Sequence, residues 1–381
     1  MTFHWFLPTG SDGRTLTTGM RGTHGPSHDT TTATGTGPGA DRHRAPDLRY
    51  LTQIAQAAEH MGFETILTPV GTFNEDPWIT CAALTQHTER LKFLVALRPD
   101  SISPTLAAQM AATFQRHSGG RLLLNVVTGG DPSEQARYGD HLDKPARYAR
   151  TDEWLTVLRG TWNPEPFTYS GAHYDVRGAT VFSPPDPAPA VYFGGSSDQA
   201  LPVAARHADV YLTWGEPPAD VAAKLERIRE LAARTGRTVR FGIRFHIVAR
   251  DTADQAWAAA ERLLTGIDPA HLARVQATLA GTQSTGQARQ SALGTAYRDS
   301  GRTSDLEVYQ NVWAGVGLLR GGAGTALVGS HQEVADRIAE YAGLGIDEFI
   351  LSGFPHLEEA YEVGEGVLPL LGADRTVAVG R

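Results

Sequence analysis

Eight short apolar runs, each followed by amphipathic helical text, set the strongest limit on what this chain can fold into. The runs are Phe3 to Leu7, Thr65 to Pro69, Lys92 to Ala96, Leu122 to Val127, Val191 to Phe193, Val210 to Thr213, Phe241 to Val248 and Glu348 to Leu351. Helical spacing follows within a few to a few dozen residues, as over Asp47 to Met61, Pro104 to His117, Ala146 to Leu158 and Ala219 to Thr235. Strands alternating with helices call for parallel pairing, because each helix returns the chain to the start of the next strand. Eight such units suggest a closed (β/α)8 TIM barrel more than a doubly wound sheet, with chemistry at the C-terminal ends of the strands. The 381 residues would also make two ordinary domains, but one large barrel with insertions accommodates all of residues 1–381.

Three stretches interrupt the repeat, after the first, fourth and seventh core strands. Residues 9–46 are rich in Gly, Thr, Asp and His with few large apolar side chains, so a flexible loop is expected there. Its histidines His24, His28 and His43 match no metal-site spacing and read as solvent-facing residues. The second stretch, Trp162 to Ala190, reads as a small hairpin around Tyr169 to Tyr174 plus a Pro-rich linker. The third, residues 268–311, mixes a helical half with the polar run Arg298 to Asp305. Long insertions in a compact domain are often lids, so this one is expected to cover the active site.

Composition narrows the function classes. A hydrophobic fraction of 41% and a charged fraction of 20% suit a globular enzyme. The formal charge of -8 argues against general nucleic-acid binding. No apolar run reaches about 18 residues, so no membrane span is expected. The start Met1 to Pro8 lacks a basic segment and a long apolar stretch, and the single cysteine, Cys81, can form no intrachain disulfide, so a reducing cytoplasm is expected.

The strand Phe241-Gly242-Ile243-Arg244-Phe245-His246 carries an arginine and a histidine two residues apart. Side chains alternate along a strand, so Arg244 and His246 share a face. Left unpaired in a core they would cost several kcal/mol, so they are expected to meet something anionic or wet.

Other strand ends carry polar text. Phe193-Gly194-Gly195-Ser196-Ser197-Asp198 sits between a strand and a helix. Glycines and helix-start amides can hold a phosphate there, although an ordinary turn with a serine cap has the same text. Asn125 and Thr128 close the fourth strand, either as ligand contacts or as barrel and turn residues, and Tyr148 on the following helix can offer a hydroxyl or simply pack. Arg320-Gly321-Gly322-Ala323-Gly324-Thr325 is neither a nucleotide P-loop nor a dinucleotide fingerprint. An arginine in such a loop suits closure over an anion, and a surface loop is the alternative. Trp214 ends the sixth strand, as a cofactor wall or a packed rim residue. His356 follows the last strand, as a site residue or a helix cap, with Glu358 and Glu359 suited to the positive helix end. No Ser-His-Asp set, metal-spaced cluster or carboxylate pair stands out, which points to chemistry carried by a cofactor.

Taken together, Phe93-Leu94-Val95-Ala96-Leu97-Arg98-Pro99, Asn125-Val126-Val127-Thr128-Gly129, Tyr192 to Ser197, Thr213-Trp214-Gly215-Glu216-Pro217-Pro218, Phe241 to Arg244, Trp313 to Leu318, Arg320 to Gly329 and Pro355 to Ala360 carry a family likeness. This text resembles the two-component alkanesulfonate monooxygenases of the bacterial luciferase-like flavin enzymes, from the first strand to about Leu371 without residues 9–46. The resemblance implies reduced FMN supplied by a separate NAD(P)H-dependent flavin reductase, O2 as co-substrate, and oxidation of the sulfonate-bearing carbon to give sulfite and an aldehyde. It assigns anion neutralisation to Arg244 and Arg320, hydrogen bonding or proton transfer to His246, and a polar site role to His356. Trp214 would border the flavin, and Ser196, Ser197 and Tyr148, with Asn125, Thr128 and Gly195 beside them, would bind it. The run Arg298 to Asp305 matches the family's mobile lid. Expected partners are the reductase, a small anionic organosulfur substrate and further copies of the chain in a dimer or tetramer.

Three positions depart from the family text: Gly10 where a histidine is common, Asn74 where a cysteine is, and Phe354 where a tyrosine is. A phenylalanine cannot donate a proton. Four readings follow: an alkanesulfonate monooxygenase, a relative acting on a sulfone or other small organic molecule, a deazaflavin-dependent oxidoreductase, and a non-catalytic flavin-binding protein.

Overall fold

The computed structural model of the chain describes residues 1–17 and 43–372. Its strands are β1 (Thr2–Phe6), β2 (Thr65–Thr68), β3 (Lys92–Leu97), β4 (Leu122–Val126), β5 (Phe167–Ser170), β6 (Asp175–Ala179), β7 (Val191–Gly194), β8 (Val210–Trp214), β9 (Arg240–Arg250), β10 (Glu307–Tyr309), β11 (Val312–Trp313), β12 (Ala326–Ser330) and β13 (Glu348–Ser352). Its helices are α1 (Leu48–His60), α2 (Pro77–Leu84), α3 (Pro104–Ser118), α4 (Pro132–Arg137), α5 (Lys144–Thr161), α6 (Ala200–His207), α7 (Pro218–Ala233), α8 (Ala253–Leu263), α9 (Pro269–Ala280), α10 (Thr285–Leu293), α11 (Thr295–Ser300), α12 (His331–Gly343) and α13 (His356–Gly366). Strands β1, β2, β3, β4, β7, β8, β9 and β13 pair in that order, all parallel, and β13 returns to β1. The fold is a closed (β/α)8 barrel, built from the same eight runs that the sequence marks.

Alternation along β9 shows how the barrel is filled. Phe241, Ile243, Phe245 and Ile247 join the large core between strands and helices. Burying each such side chain contributes on the order of 1.5–3 kcal/mol. Arg240, Gly242, Arg244 and His246 take the other face. Gly242 is there for space, since a Cβ at that point would lie 2.6 Å from Leu212 Cδ2. Phe6, Leu67, Leu94, Tyr192, Val210 and Ile350 form the inner cluster. Below them, buried Glu348 takes His4 Nε2 at 3.1 Å and also bonds Arg240, closing the N-terminal end.

The outer helices begin and end on local signals. Ser103 caps α3 by accepting from Leu106 N, Pro104 follows, and Gly119 at φ 69° ends the helix in a left-handed turn. One face of α1 buries Leu51, Ile54, Ala55 and Ala58 on the barrel. Among the described residues, no helix is long and apolar enough to cross a membrane.

The insertions differ in part from their sequence reading. The hairpin expected between Trp162 and Ala190 is β5 with β6. Of the loop expected over residues 9–46, residues 18–42 lie outside the described residues, and His24 and His28 with them. Its described ends are packed: Leu16 is fully buried, with its amide 3.0 Å from Leu263 O, and Asp12 bridges Arg44 in antiparallel fashion. Composition averaged over the stretch hid these two anchors. The 268–311 insertion is mainly helical, as α9, α10 and α11, and ends in β10. Strand β12 was not anticipated. It pairs with the outer half of β9, from Ala326 opposite His246 to Ser330 opposite Arg250, and so carries the preceding glycine loop to the barrel mouth.

Candidate active site

A cavity of about 500 Å³ opens at the C-terminal ends of the barrel strands. Asn125, Thr128, Tyr148, Gly195, Ser196, Ser197, Trp214, Arg244 and Arg320 all line it. His246 and His356 are buried behind its wall, 1% and 0% exposed. The sequence-marked residues therefore converge on one place, in two layers.

Arg244 and Arg320 make the cationic pole. The Arg244 guanidinium lies 3.8 Å over the Phe6 ring, and Arg320 stands 5.2 Å from that ring and 5.9 Å from the ring of Phe354. Arg244 Nε and Nη2 are shielded from solvent and have no hydrogen-bond partner among the described residues. Burial, reinforced by Arg320, pushes Arg244 well below the usual arginine range, and burial brings Arg320 down to about 10. A guanidinium does not give up its proton at neutral pH, so these directions mean that the charges are held at a cost. Glu134 and Glu216 of the cavity wall are paired elsewhere, with Arg98 at 2.5 Å and Lys224 at 2.9 Å, and Asp12 offsets the cost only in part, at Arg320, so these carboxylates do not fully relieve it. An anion between the two arginines would.

The opposite pole is the turn after β7. Gly195 has φ 144°, and an added Cβ would sit 2.7 Å from Ala200 Cβ and 3.3 Å from the Tyr148 hydroxyl. Only glycine leaves that cradle open. Ser197 Oγ receives the Ala200 amide at 3.3 Å and bonds the Tyr148 hydroxyl, and the Tyr211 hydroxyl fixes Gly195 O at 2.8 Å. Ser197 thus braces the turn ahead of α6, whose N-cap is Gln199 without a side-chain cap bond. Lys144 lines the cavity nearby. Thr128 is held by Thr151, with hydroxyl oxygens 3.2 Å apart, and Asn125 sits on β4 opposite Tyr192. Trp214 ends β8 against Gly286 of the insertion, where a Cβ would lie 3.0 Å from its ring.

The two buried histidines differ: both ring nitrogens of His246 are bonded, whereas His356 is bonded through Nδ1 and its buried Nε2 has no hydrogen-bond partner among the described residues. His246 Nε2 lies 3.2 Å from Ala323 O and Nδ1 lies 2.9 Å from Ser352 Oγ. A carbonyl only accepts, so Nε2 carries the proton and Nδ1 accepts from the serine hydroxyl. Neither nitrogen is left for proton transfer in this arrangement; the ring stacks on Phe354 at 5.3 Å and 17°. His356 sits 2.9 Å through Nδ1 from Asp12 Oδ1, and its amide donates to Asp12 Oδ2 at 2.8 Å. Tyr50 OH adds a bond to Asp12 Oδ2 at 2.6 Å, and Arg44 joins Tyr50 to Glu358. Burial pushes the Asp12 carboxyl up, but His356 and Tyr50 together hold it below the usual carboxylate range. Glu358 and Glu359 lie in the first turn of α13 as its dipole favours. Sequence reasoning missed Asp12, whose signal was available: a polar residue just beyond the end of a barrel strand.

Burial depresses both histidines, His246 well below the ordinary value of 6.5 and His356 below it despite Asp12. The unfolded chain then takes up protons that the native state refuses as pH falls below 6.5, so stability is lost toward acid. The melting temperature is expected to fall from about pH 7 to about pH 5, with a limiting slope of about 1.4 kcal/mol per pH unit for each histidine. His246→Gln should shrink that fall. A profile flat over the range in the unaltered protein would contradict the depression.

A closed parallel barrel with an arginine-lined cavity open at the C-terminal ends of its strands has the architecture of the (β/α)8 barrel proteins. Residues 1–348 match the family described as luciferase-like monooxygenase, and the chain belongs to that family. Among solved structures it is similar to the EDTA monooxygenase EmoA from Chelativorans sp. BNC1, with 20% identity over 98% of this chain and 94% of that one at a TM-score of 0.73. It is also similar to riboflavin lyase RcaE, with 21% identity over 86% and 84% of the two chains at 0.72. Monooxygenase RslO1 from Streptomyces bottropensis shares 18% identity over 97% and 99% at 0.64.

Proposed function

We propose that the chain is a two-component flavin monooxygenase that uses reduced FMN and O2 to desulfonate alkanesulfonates to an aldehyde and sulfite. The observation that carries this reading is the pair Arg244 and Arg320, cations held at a cost with shielded Arg244 N–H groups aimed at no protein acceptor among the described residues. A sulfonate offers three oxygens to such a pair. The Gly195 cradle, with Ser196, Ser197 and Tyr148 around it, suits the FMN phosphate, and Trp214 suits the edge of the ring. Reduced flavin, when bound, supplies the electrons that activate O2. The carbon–sulfur bond breaks, one oxygen atom ends in the aldehyde and the other in water. The protein's part is to orient the sulfonate, hold its charge and keep water out. A separate NAD(P)H-dependent reductase would supply the flavin, and a homo-oligomer in the cytoplasm is the setting this reading carries.

Phe354 favours a second reading, the same oxidation on a sulfone or another small organic substrate. Its ring stacks on His246 and edges His356 at 5.2 Å, with no hydroxyl to offer a leaving group. The test supplies the protein with FMN, a flavin reductase and NADH under air, then measures sulfite and aldehyde across short- and long-chain alkanesulfonates and sulfones. Sulfite that depends on both reduced flavin and O2 is expected from a sulfonate. Flavin-dependent O2 uptake without sulfite from any sulfonate would overturn the first reading, and product from a sulfone would install the second. Tight FMN binding with no turnover would point to a flavin-binding protein.

A further inference from the structure

The glycine loop that carries Arg320 is held by the insertion. Helix α10 is capped by Ser284, whose hydroxyl accepts from Gln287 N at 3.1 Å, and its Gln287 and Gln290, one turn apart, face the loop. Gly322 N donates to Gln287 Oε1 at 2.8 Å, and Gly324 N donates to Gln290 Oε1 at 2.9 Å. Gln290 Nε2 also donates to Gly215 O at 2.7 Å, the carbonyl that takes the Thr325 hydroxyl at 2.9 Å. Both glutamines are buried, 4% and 3% exposed. The start of α10 is tied to the opposite rim: Gln283 N donates to Gly130 O at 2.9 Å, and Gln283 Oε1 accepts from Arg147 Nη2 at 2.8 Å. The insertion spans the mouth as a strap, and its α9–α10 turn, not the run Arg298 to Asp305, faces the cavity.

We infer that Gln287 and Gln290 are positioning residues for Arg320 and Trp214, binding the glycine loop and the end of β8 into one unit with the insertion. Glycine loops have many accessible conformations, so an arginine carried on one is placed only if its amides are anchored. Here the anchors are two side-chain carbonyls from a helix more than thirty residues upstream. Each glutamine acts through the loop, and the effect on an anionic substrate rests on the reading given under Proposed function.

Two measurements test it on the full-length protein. Hydrogen exchange followed by mass spectrometry over the peptide Leu319 to Ala326 is expected to speed up about tenfold at the Gly322 amide in Gln287→Leu, and at the Gly324 amide in Gln290→Leu. Gln287→Glu retains an acceptor oxygen and should keep slow exchange. In steady-state assays with octanesulfonate, Gln287→Leu should raise KM about tenfold in the unaltered protein and change it little in an Arg320→Ala background. Unchanged exchange in both leucine variants, or the same KM penalty with and without Arg320, would overturn the inference. If no sulfonate is turned over, the functional reading fails while the exchange data still decide the clamp.

Discussion

Arg244→Ala is expected to lower kcat/KM for the accepted sulfonate by about three orders of magnitude, the scale of removing a charge-assisted partner from a buried anion. The same substitution should leave the melting temperature unchanged or raise it, and this pairing of opposite signs is the diagnostic part. Its guanidinium is kept from solvent at Nε and Nη2 with no hydrogen-bond partner among the described residues, and Arg320 adds like-charge repulsion. Removing an uncompensated cation relieves a penalty of several kcal/mol. Against that stands the lost contact with Phe6, at 3.8 Å, worth about 2 kcal/mol when desolvated, and a small void. The terms nearly cancel in the empty protein, whereas only the anion-bound state loses its partner. Steady-state kinetics and a thermal melt on one preparation decide the matter. A loss of turnover below about tenfold would move the anion elsewhere, and a large fall in melting temperature would make Arg244 structural.

The fold was legible because its information is local. Alternation in Phe241 to Val248 and capping at Ser103 to Pro104 need only neighbouring residues, and all eight barrel strands fall where the apolar runs put them. The short β12 escaped because its text follows a glycine run and its pairing partner, β9, lies far upstream. The cavity residues were legible in kind: cations on strand and loop ends that a core would not tolerate. Their exact duties were not. His246 loses its free nitrogens to Ser352 and to Ala323, 106 and 77 residues away, and no spacing rule reveals that. The glutamine clamp is equally nonlocal, since Gln287 and Gln290 read as ordinary helix residues until the glycine amides are seen against them.

Gly10 and Asn74, both departures from the family text, turn out to be neighbours. A Cβ on Gly10 would come within 3.2 Å of Asn74 Oδ1 and 3.1 Å of Phe73 O. Thr9 Oγ1 also donates to Asn74 Oδ1 at 3.3 Å. The asparagine occupies the space that a side chain at position 10 would need, so the two changes are sterically consistent with each other. Both residues line the cavity, so this pair helps to set its shape.

Asp12→Ala is expected to destabilise the protein by about 3–5 kcal/mol, the range for breaking a buried, hydrogen-bonded charge from one side. The Asp12 carboxylate is fully buried and accepts from the His356 amide, His356 Nδ1, the Tyr50 hydroxyl and the Gly13 amide. Its removal strands the buried His356 and Gly13 donors and frees the half-buried Tyr50 hydroxyl, and it takes away the charge that offsets part of the burial cost of Arg320. Tyr50→Phe removes one donor together with its acceptor role toward Arg44 and should cost only about 1 kcal/mol, which separates the charge from a single bond. The pH dependence has a definite sign. Asp12 is held below its unfolded value of 3.8, so its contribution is complete above that pH and is lost as pH falls through the lower folded value. Acid unfolding of Asp12→Ala should therefore lack this steep limb while keeping the histidine-driven decline that begins near 6.5. Urea midpoints at neutral and acidic pH, with the slope of the transition unchanged, measure both effects. A neutral-pH loss below about 1 kcal/mol would mean that the His356 network is a solvated surface contact and not the anchor that fixes the segment after β1 beneath the arginine pole.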